Sequence, residues 1–107
     1  MIIKIRKSDA KEPFTFVFEN ADGKVIVRSQ NYSQKANAKN GIESVKKNCK
    51  DDARYELKEA SNGKPFFNVT ATNGQIVGTS TLFENEAERT AAIAELKAKS
   101  PRAKIVD

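Results

Sequence analysis

The stretch NADGKVIVRSQNY, residues 20–32, returns as ATNGQIVGTSTLF at 71–83. Gly23 matches Gly74, a separation of 74 − 23 = 51. The same offset joins Phe16 to Phe67, Phe18 to Val69, Val25 to Ile76, Ser29 to Ser80 and Tyr32 to Phe83. It runs on through Ile42 with Ile93 and Val45 with Leu96. Upstream the offset becomes 52, which lays residues 3–14 over 55–66 and Pro13–Phe14 over Pro65–Phe66. The one-residue difference is then expected between that Pro-Phe and the next phenylalanine. Agreement at so many apolar positions marks a tandem duplication, and a duplication constrains the fold more than any local signal.

Each copy reads alike. Asp22–Gly23 and Asn73–Gly74 lie between alternating apolar runs, the signature of a two-residue hairpin turn. With Asp22–Gly23 as the loop, Phe18 faces Val27 and Asn20 faces Val25. Phe14, Phe16, Phe18, Val25 and Val27 then share one side, as do Phe67, Val69, Ala71, Ile76 and Gly78 in the second copy. The runs IIKIRK and RYELKE alternate as well and supply a further strand each. After each hairpin the apolar period changes from two to about 3.6. Ala38, Ile42, Val45 and Cys49 make one helical stripe, and Ala92, Ile93 and Leu96 make the other. Ser33 is the expected N-cap of the first helix, and Asn85 with Glu88 resembles a capping box for the second. Pro101 stops that helix, leaving AKIVD as a last short strand.

One copy of about 50 residues buries too little surface to stand alone. Two copies side by side share a wider core. The fold class is therefore α+β: two β-β-β-α(-β) repeats, 1–53 and 54–107, forming a single domain over 1–107. It is expected to have seven strands in one mainly antiparallel sheet, with two helices on one face and pseudo-two-fold symmetry. As a covalent pseudo-dimer the chain is expected to be a monomer. Its apolar and charged fractions, 38% and 31%, are those of an ordinary small globule.

The stretch DGKVIVRSQNYSQKANAKNGIESVKKN resembles the YegP-like family of small uncharacterised proteins, whose repeat ends in a G-I-x-S-V-x-x-N pattern. Gly41, Ile42, Ser44, Val45 and Asn48 carry that pattern here. The second copy departs from it with Ala92, Ile93, Glu95, Leu96 and Lys99. The resemblance covers essentially the whole chain. It implies tandem β-β-β-α-β units in one sheet with terminal strands exchanged between units, and it implies no activity.

The residues argue against catalysis. There is no histidine, which removes the usual general base, the Ser-His and Cys-His pairs and most transition-metal sites. Cys49 is the only cysteine and sits on an apolar stripe, as a core thiol. It cannot form an intrachain disulfide, so a reducing cytoplasm is the expected location. Glu84, Glu86 and Glu88 suit the positive end of the second helix's dipole, and Asp51–Asp52 reads as a solvated linker. No phosphate-binding loop or dinucleotide fingerprint is present, so no cofactor and no metal are expected. Gly41, inside a helix, is expected to mark close approach of that helix to the sheet. The polar run SQNYS at 29–33 reads as strand-exit and helix-entry hydrogen bonding.

One surface remains as a binding candidate. The net charge is +5, with 11 Lys/Arg against 7 Asp/Glu in residues 1–53 and 8 against 7 in 54–107. By alternation, Lys4, Arg6, Arg28 and Lys58 fall on the sheet face turned away from the helices. Lys24, Arg54 and Thr70 fall there too, with Val17, Ile26 and Val77 between them and Glu19 and Glu56 among them. This face has no aromatic residue by the same count, whereas sheet-face readers of single-stranded RNA stack bases on aromatics. The expected function is a small non-enzymatic binding or accessory protein, with either a protein or a nucleic acid as partner. Weak nucleic-acid binding through the basic face is the alternative. No run is apolar enough to span a membrane.

Overall fold

The structure, a computed structural model, describes residues 1–106. It contains seven strands: β1 (Ile2–Lys7), β2 (Phe14–Glu19), β3 (Val25–Arg28), β4 (Tyr55–Glu59), β5 (Pro65–Thr70), β6 (Ile76–Ser80) and β7 (Lys104–Val106). Helix α1 (Lys35–Asn48) follows β3, and α2 (Glu86–Lys99) follows β6. All seven strands form one sheet in the order β4-β5-β6-β3-β2-β1-β7. Every pairing is antiparallel except β1 with β7. The two repeats meet where β3 pairs with β6, and there Arg28 faces Thr79, its own counterpart at offset 79 − 28 = 51. A pseudo-two-fold axis passes through that pair. Each helix hands the chain across to the outer edge of the opposite half, α1 to β4 and α2 to β7. The expected exchange of terminal strands is present.

The hairpin turns differ from the two-residue type. Gly23 Nα donates to the Asn20 carbonyl and Asn20 Nα to Lys24, and only the glycine has positive φ, at 79°. The loop is thus three residues, Ala21-Asp22-Gly23, with glycine needed only at the last place. Ala71, Gly74 and Gln75 repeat the pattern, with Gly74 at φ 85°. The longer loop sets Glu19, not Asn20, opposite Val25; a bulge at Ile26 then restores Phe18 opposite Val27. A bulge reverses the facing of the residues before it. Ile26 therefore joins the core, while Val25 lines a hollow of the open face with Arg6 and Val17. In the second copy Val77 packs on the core and Ile76 is exposed, again the reverse of simple alternation.

The length difference between the copies also moves. Phe14 exchanges backbone hydrogen bonds with Tyr32, and Phe83 Nα donates to the Pro65 carbonyl. So Phe14 corresponds to Pro65, and the extra residue lies in the β1–β2 loop. The matching Pro-Phe pairs are not structurally equivalent.

The core lies between the helices and one sheet face. Phe16, Phe18, Phe67 and Val69 from the strands meet Ala38, Ile42, Val45, Ala92 and Leu96 from the helices. Ring pairs repeat with the symmetry. Phe16 stacks on Tyr32 at 6.2 Å and 14°, and Phe67 on Phe83 at 6.1 Å and 7°. Ser29 and Ser80 each accept from the backbone amide of the stacked phenylalanine, at 2.9 and 2.8 Å, and donate to the next carbonyl. That is strand-exit hydrogen bonding, as expected. Gly41 faces the Phe16–Tyr32 stack: a Cβ there would lie 2.5 Å from the Tyr32 hydroxyl and 2.9 Å from Phe16. The second copy carries a methyl at Ala92 beside Phe83, which has no hydroxyl.

Capping matches the expectation at one helix only. Asn85 Oδ1 accepts from Glu88 Nα at 2.9 Å, and Glu88 Oε1 accepts from Glu84 Nα at 3.1 Å. The first helix instead starts from Gln34, without a side-chain cap, and Ser33 lies outside it. Its first turn is held by the Gln34 carbonyl, which accepts from Asn37 and Ala38.

Residues related by the duplication meet at the seam and are not identical. A Cβ on Gly78 would lie 2.7 Å from Cγ1 of Val27, its own counterpart. Cys49 Sγ sits 3.0 Å from Oγ of Ser100, at offset 100 − 49 = 51, and both side chains are fully buried. Tyr55 Oη donates to the Cys49 carbonyl at 2.6 Å and covers this pair. Burial raises the Cys49 thiol above its ordinary 9.0, against smaller lowering effects of Ser100, Lys50 and Lys97. Burial, with Cys49 and Asp52 adding to it, also raises the Tyr55 phenol.

Two predictions follow from this packing. Gly41→Ala should destabilise the chain by about 1–2 kcal/mol through overpacking, despite the better helix propensity. Adding Tyr32→Phe, the second copy's combination, should recover most of that loss in urea unfolding. The thiol and phenol give a pH dependence. Both groups hold their protons more tightly in the fold than unfolded, so stability is full below pH 9 and falls as pH rises beyond it. The urea midpoint should therefore drop between pH 8 and pH 10.5, and drop less in Tyr55→Phe.

Candidate functional site

The open face of the sheet can be read along one row of paired residues. From the β4 edge the row begins Glu56, Asn68, Thr79. It crosses the seam to Arg28, Val17 and Lys4, and ends at Val106 on β7. In the half nearer β4 the polar groups of the row are hydrogen-bonded to one another. Asn68 Nδ2 donates to Glu56 at 3.0 Å, and Thr79 Oγ1 donates to Asn68 at 2.8 Å. Thr70 Oγ1 donates to the Arg54 carbonyl at 3.0 Å.

In the other half the cations gather around one carboxylate. Glu19, its side chain only 8% exposed, holds Lys4 Nζ at 3.1 Å and Arg6 at 3.5 Å. Arg6 and Arg28 then wall a hollow of about 220 Å³, whose apolar floor includes Val17 and Val25 and whose rim includes Thr15, Ser29 and Asn31. Arg28 is exposed and has no ion-pair partner among the described residues.

Of the four expected site residues, Lys4, Arg6 and Arg28 are brought together, and Lys58 is not. Lys58 stands on β4, five strands away from β1, or about 24 Å at the usual strand spacing. It is the counterpart of Arg6, paired with Phe66 where Arg6 is paired with Thr15. Phe66 alternates with buried Phe67 and so lies on the open face. That corrects the expectation of a face without aromatics: Pro65, not Phe66, is the counterpart of Phe14, and Phe66 takes the open-face place that Thr15 holds in the first copy. Lys24 does not join the open-face hollow; it lines a cleft on the helix side.

That cleft, about 280 Å³, opens between α2 and the segment after β6. Ile26, Phe83 and Ala92 contribute its apolar surface, with Glu88 and Glu95 beside them. Simple alternation puts Ile26 on the open face, and the bulge that turns it into this cleft shows only in the pairing of β2 with β3. Two of its carboxylates already have work: Glu84 binds Lys64 at 2.9 Å, and Glu88 caps α2. Cys49 offers no nucleophile at either place, being sealed at the seam. Among the described residues, no three His, Cys, Asp or Glu side chains converge as a metal site, and no helix is long and apolar enough to cross a membrane.

Comparison with known proteins accounts for the duplication. The model of a domain of unknown function, DUF1508, matches twice, over residues 9–56 and 60–107. Both ends differ by 51, as 60 − 9 and 107 − 56. Each matched unit therefore starts in the hairpin loop before β2 or β5. A UPF0339 protein of Acinetobacter baylyi is 43% identical over 101 residues, 94% of this chain and 91% of its own. The UPF0339 protein YegP of Escherichia coli O157:H7 is 42% identical over 93 residues, 87% of this chain and 83% of its own. The solution NMR structure of a UPF0339 protein from Shewanella oneidensis superposes with a TM-score of 0.91 at 38% identity, covering 99% of this chain and 89% of that one. Two matched units and these relatives show that the chain belongs to the YegP-like UPF0339 family, whose function is unknown.

Proposed function

We propose that this chain is a non-catalytic binding protein of the cytoplasm, which takes an acidic segment of a protein partner on its open sheet face. The observation that carries the reading is the hollow between Arg6 and Arg28, with Arg28, which has no ion-pair partner among the described residues, on one wall and the apolar floor of Val17 and Val25. A carboxylate side chain entering it would accept two parallel hydrogen bonds donated by the Arg28 guanidinium, while its aliphatic stem covers the valines. The absence of histidine and the burial of Cys49 support a role without chemistry. One chain is taken to be the folding unit, since each repeat completes the other's core.

Nucleic acid suits the same surface less well. A phosphate backbone is held by several cations along its path. Here Glu19 already occupies Lys4 and Arg6, and the row beyond the seam is polar and uncharged apart from Glu56. Phe66 gives a stacking surface beside Lys58, but in the other half of the sheet.

Fluorescence anisotropy with a labelled glutamate-rich peptide and a labelled single-stranded RNA tests the reading. The peptide should bind at low salt, and Arg28→Glu should weaken it about tenfold or more. Lys58→Glu should change it little. RNA binding that is tighter than the peptide's and steeper in salt would favour the nucleic-acid alternative. Failure of both ligands at low salt would overturn the open-face site.

A further inference from the structure

The two halves of the sheet are unequal. On one side of the seam stand β3, β2, β1 and β7; on the other only β6, β5 and β4. Strand β7 pairs along the outer edge of β1, and the corresponding edge of β4 carries no strand. The reason lies in the chain path. The stretch equivalent to β7, residues 53–55 at offset 51, is taken up by the end of a 3₁₀ turn (Asp52–Arg54) and the first residue of β4, so the first unit passes directly into β4 without a strand of its own matching β7.

The free edge is ready to pair. Within β5, Pro65 and Phe67 direct their backbone groups towards the β6 side, as the Pro65–Phe83 and Phe67–Ser80 bonds show. By antiparallel alternation, Phe66 and Asn68 then exchange hydrogen bonds with Lys58 and Glu56. The N–H and C=O of Leu57 are left pointing outward. Leu57 is 59% exposed, the most exposed large apolar residue among the described residues.

We propose that this edge pairs with the same edge of a second copy, antiparallel and centred on Leu57. The charges select that arrangement. With Leu57 opposite Leu57 of the second copy, Glu56 faces Lys58 and Lys58 faces Glu56, in the close non-hydrogen-bonded positions on the open face. A parallel, in-register pairing would set Glu56 against Glu56 and Lys58 against Lys58. Charges on an edge ordinarily discourage pairing, and here they oppose the parallel in-register arrangement while favouring the antiparallel self-complementary one. The result is a two-fold contact that continues the seven-stranded sheet into a second molecule. It qualifies the expectation of a plain monomer: one chain folds alone, and two associate weakly and reversibly through β4.

Sedimentation equilibrium of the full chain up to about 1 mM tests this, together with hydrogen exchange at Leu57. The chain should dimerise with concentration, and the Leu57 amide should become more protected as it does. Glu56→Lys and Lys58→Glu, each of which opposes like charges, should each weaken the dimer about tenfold or more. Mixed in equal amounts the two variants should pair with each other, and the double variant Glu56→Lys/Lys58→Glu should dimerise like the natural chain. A monomer at 1 mM would overturn the proposal. So would a dimer that these variants leave unchanged, or one that forms without protecting Leu57.

Discussion

The structure depends on the seam, where a unit meets its own copy. At a true two-fold axis each residue contacts itself, so any side chain that fits must fit against its twin. The β3–β6 junction breaks that restriction. Val27 lies over Gly78, which has no Cβ to obstruct it, and Cys49 lies against Ser100. A single chain can give each side of the axis its own residue, which two identical chains cannot. That freedom fills the middle of the core: Val27, Val45, Cys49 and Ser100 are all fully buried there. Tyr55 closes over the result through its bond to the Cys49 carbonyl.

The same duplication explains why the chemistry is uneven. The helices hand the chain to opposite edges, but β1 has β7 paired outside it and β4 has no such strand. One half is therefore wider. Its open face keeps Lys4, Arg6 and Arg28 around Glu19, while the equivalent places in the other half hold Glu56, Lys58 and Thr79, with Thr70 in place of Glu19. The copies have kept one inward set, Phe16 with Phe67, Ser29 with Ser80 and Ile42 with Ile93, and have diverged at the seam, Val27 with Gly78 and Cys49 with Ser100, and on the open face, Arg28 with Thr79. Conserving the inward set keeps the Phe16–Tyr32 and Phe67–Phe83 stacks nearly superposable.

Much of the fold was legible in the residues, because burial on one face imposes a period. The stripe Ala38, Ile42, Val45 and Cys49 is wholly buried, as a helical spacing requires. Phe16 and Phe18 alternate onto the core for the corresponding reason in a strand. The turns were less legible. Asp-Gly and Asn-Gly serve a two-residue loop or the last two places of a three-residue one, and only long-range pairing decides between them. One residue of loop length then exchanged the facings of Val25 with Ile26 and of Ile76 with Val77. The candidate site was half legible for a related reason. Alternation places Lys4, Arg6, Arg28 and Lys58 on one face, but which of them are neighbours follows from strand order, and five strand steps set Lys58 apart.

The most direct test of the account exchanges the residues across the seam. Gly78→Val alone should cost about 2–3 kcal/mol in urea unfolding, because its side chain would enter the space of Val27. Val27→Gly together with Gly78→Val moves the same side chain to the other side of the axis and should recover most of that stability. A swapped variant as unstable as Gly78→Val alone, or a Gly78→Val variant as stable as the natural chain, would contradict a seam built on complementary copies.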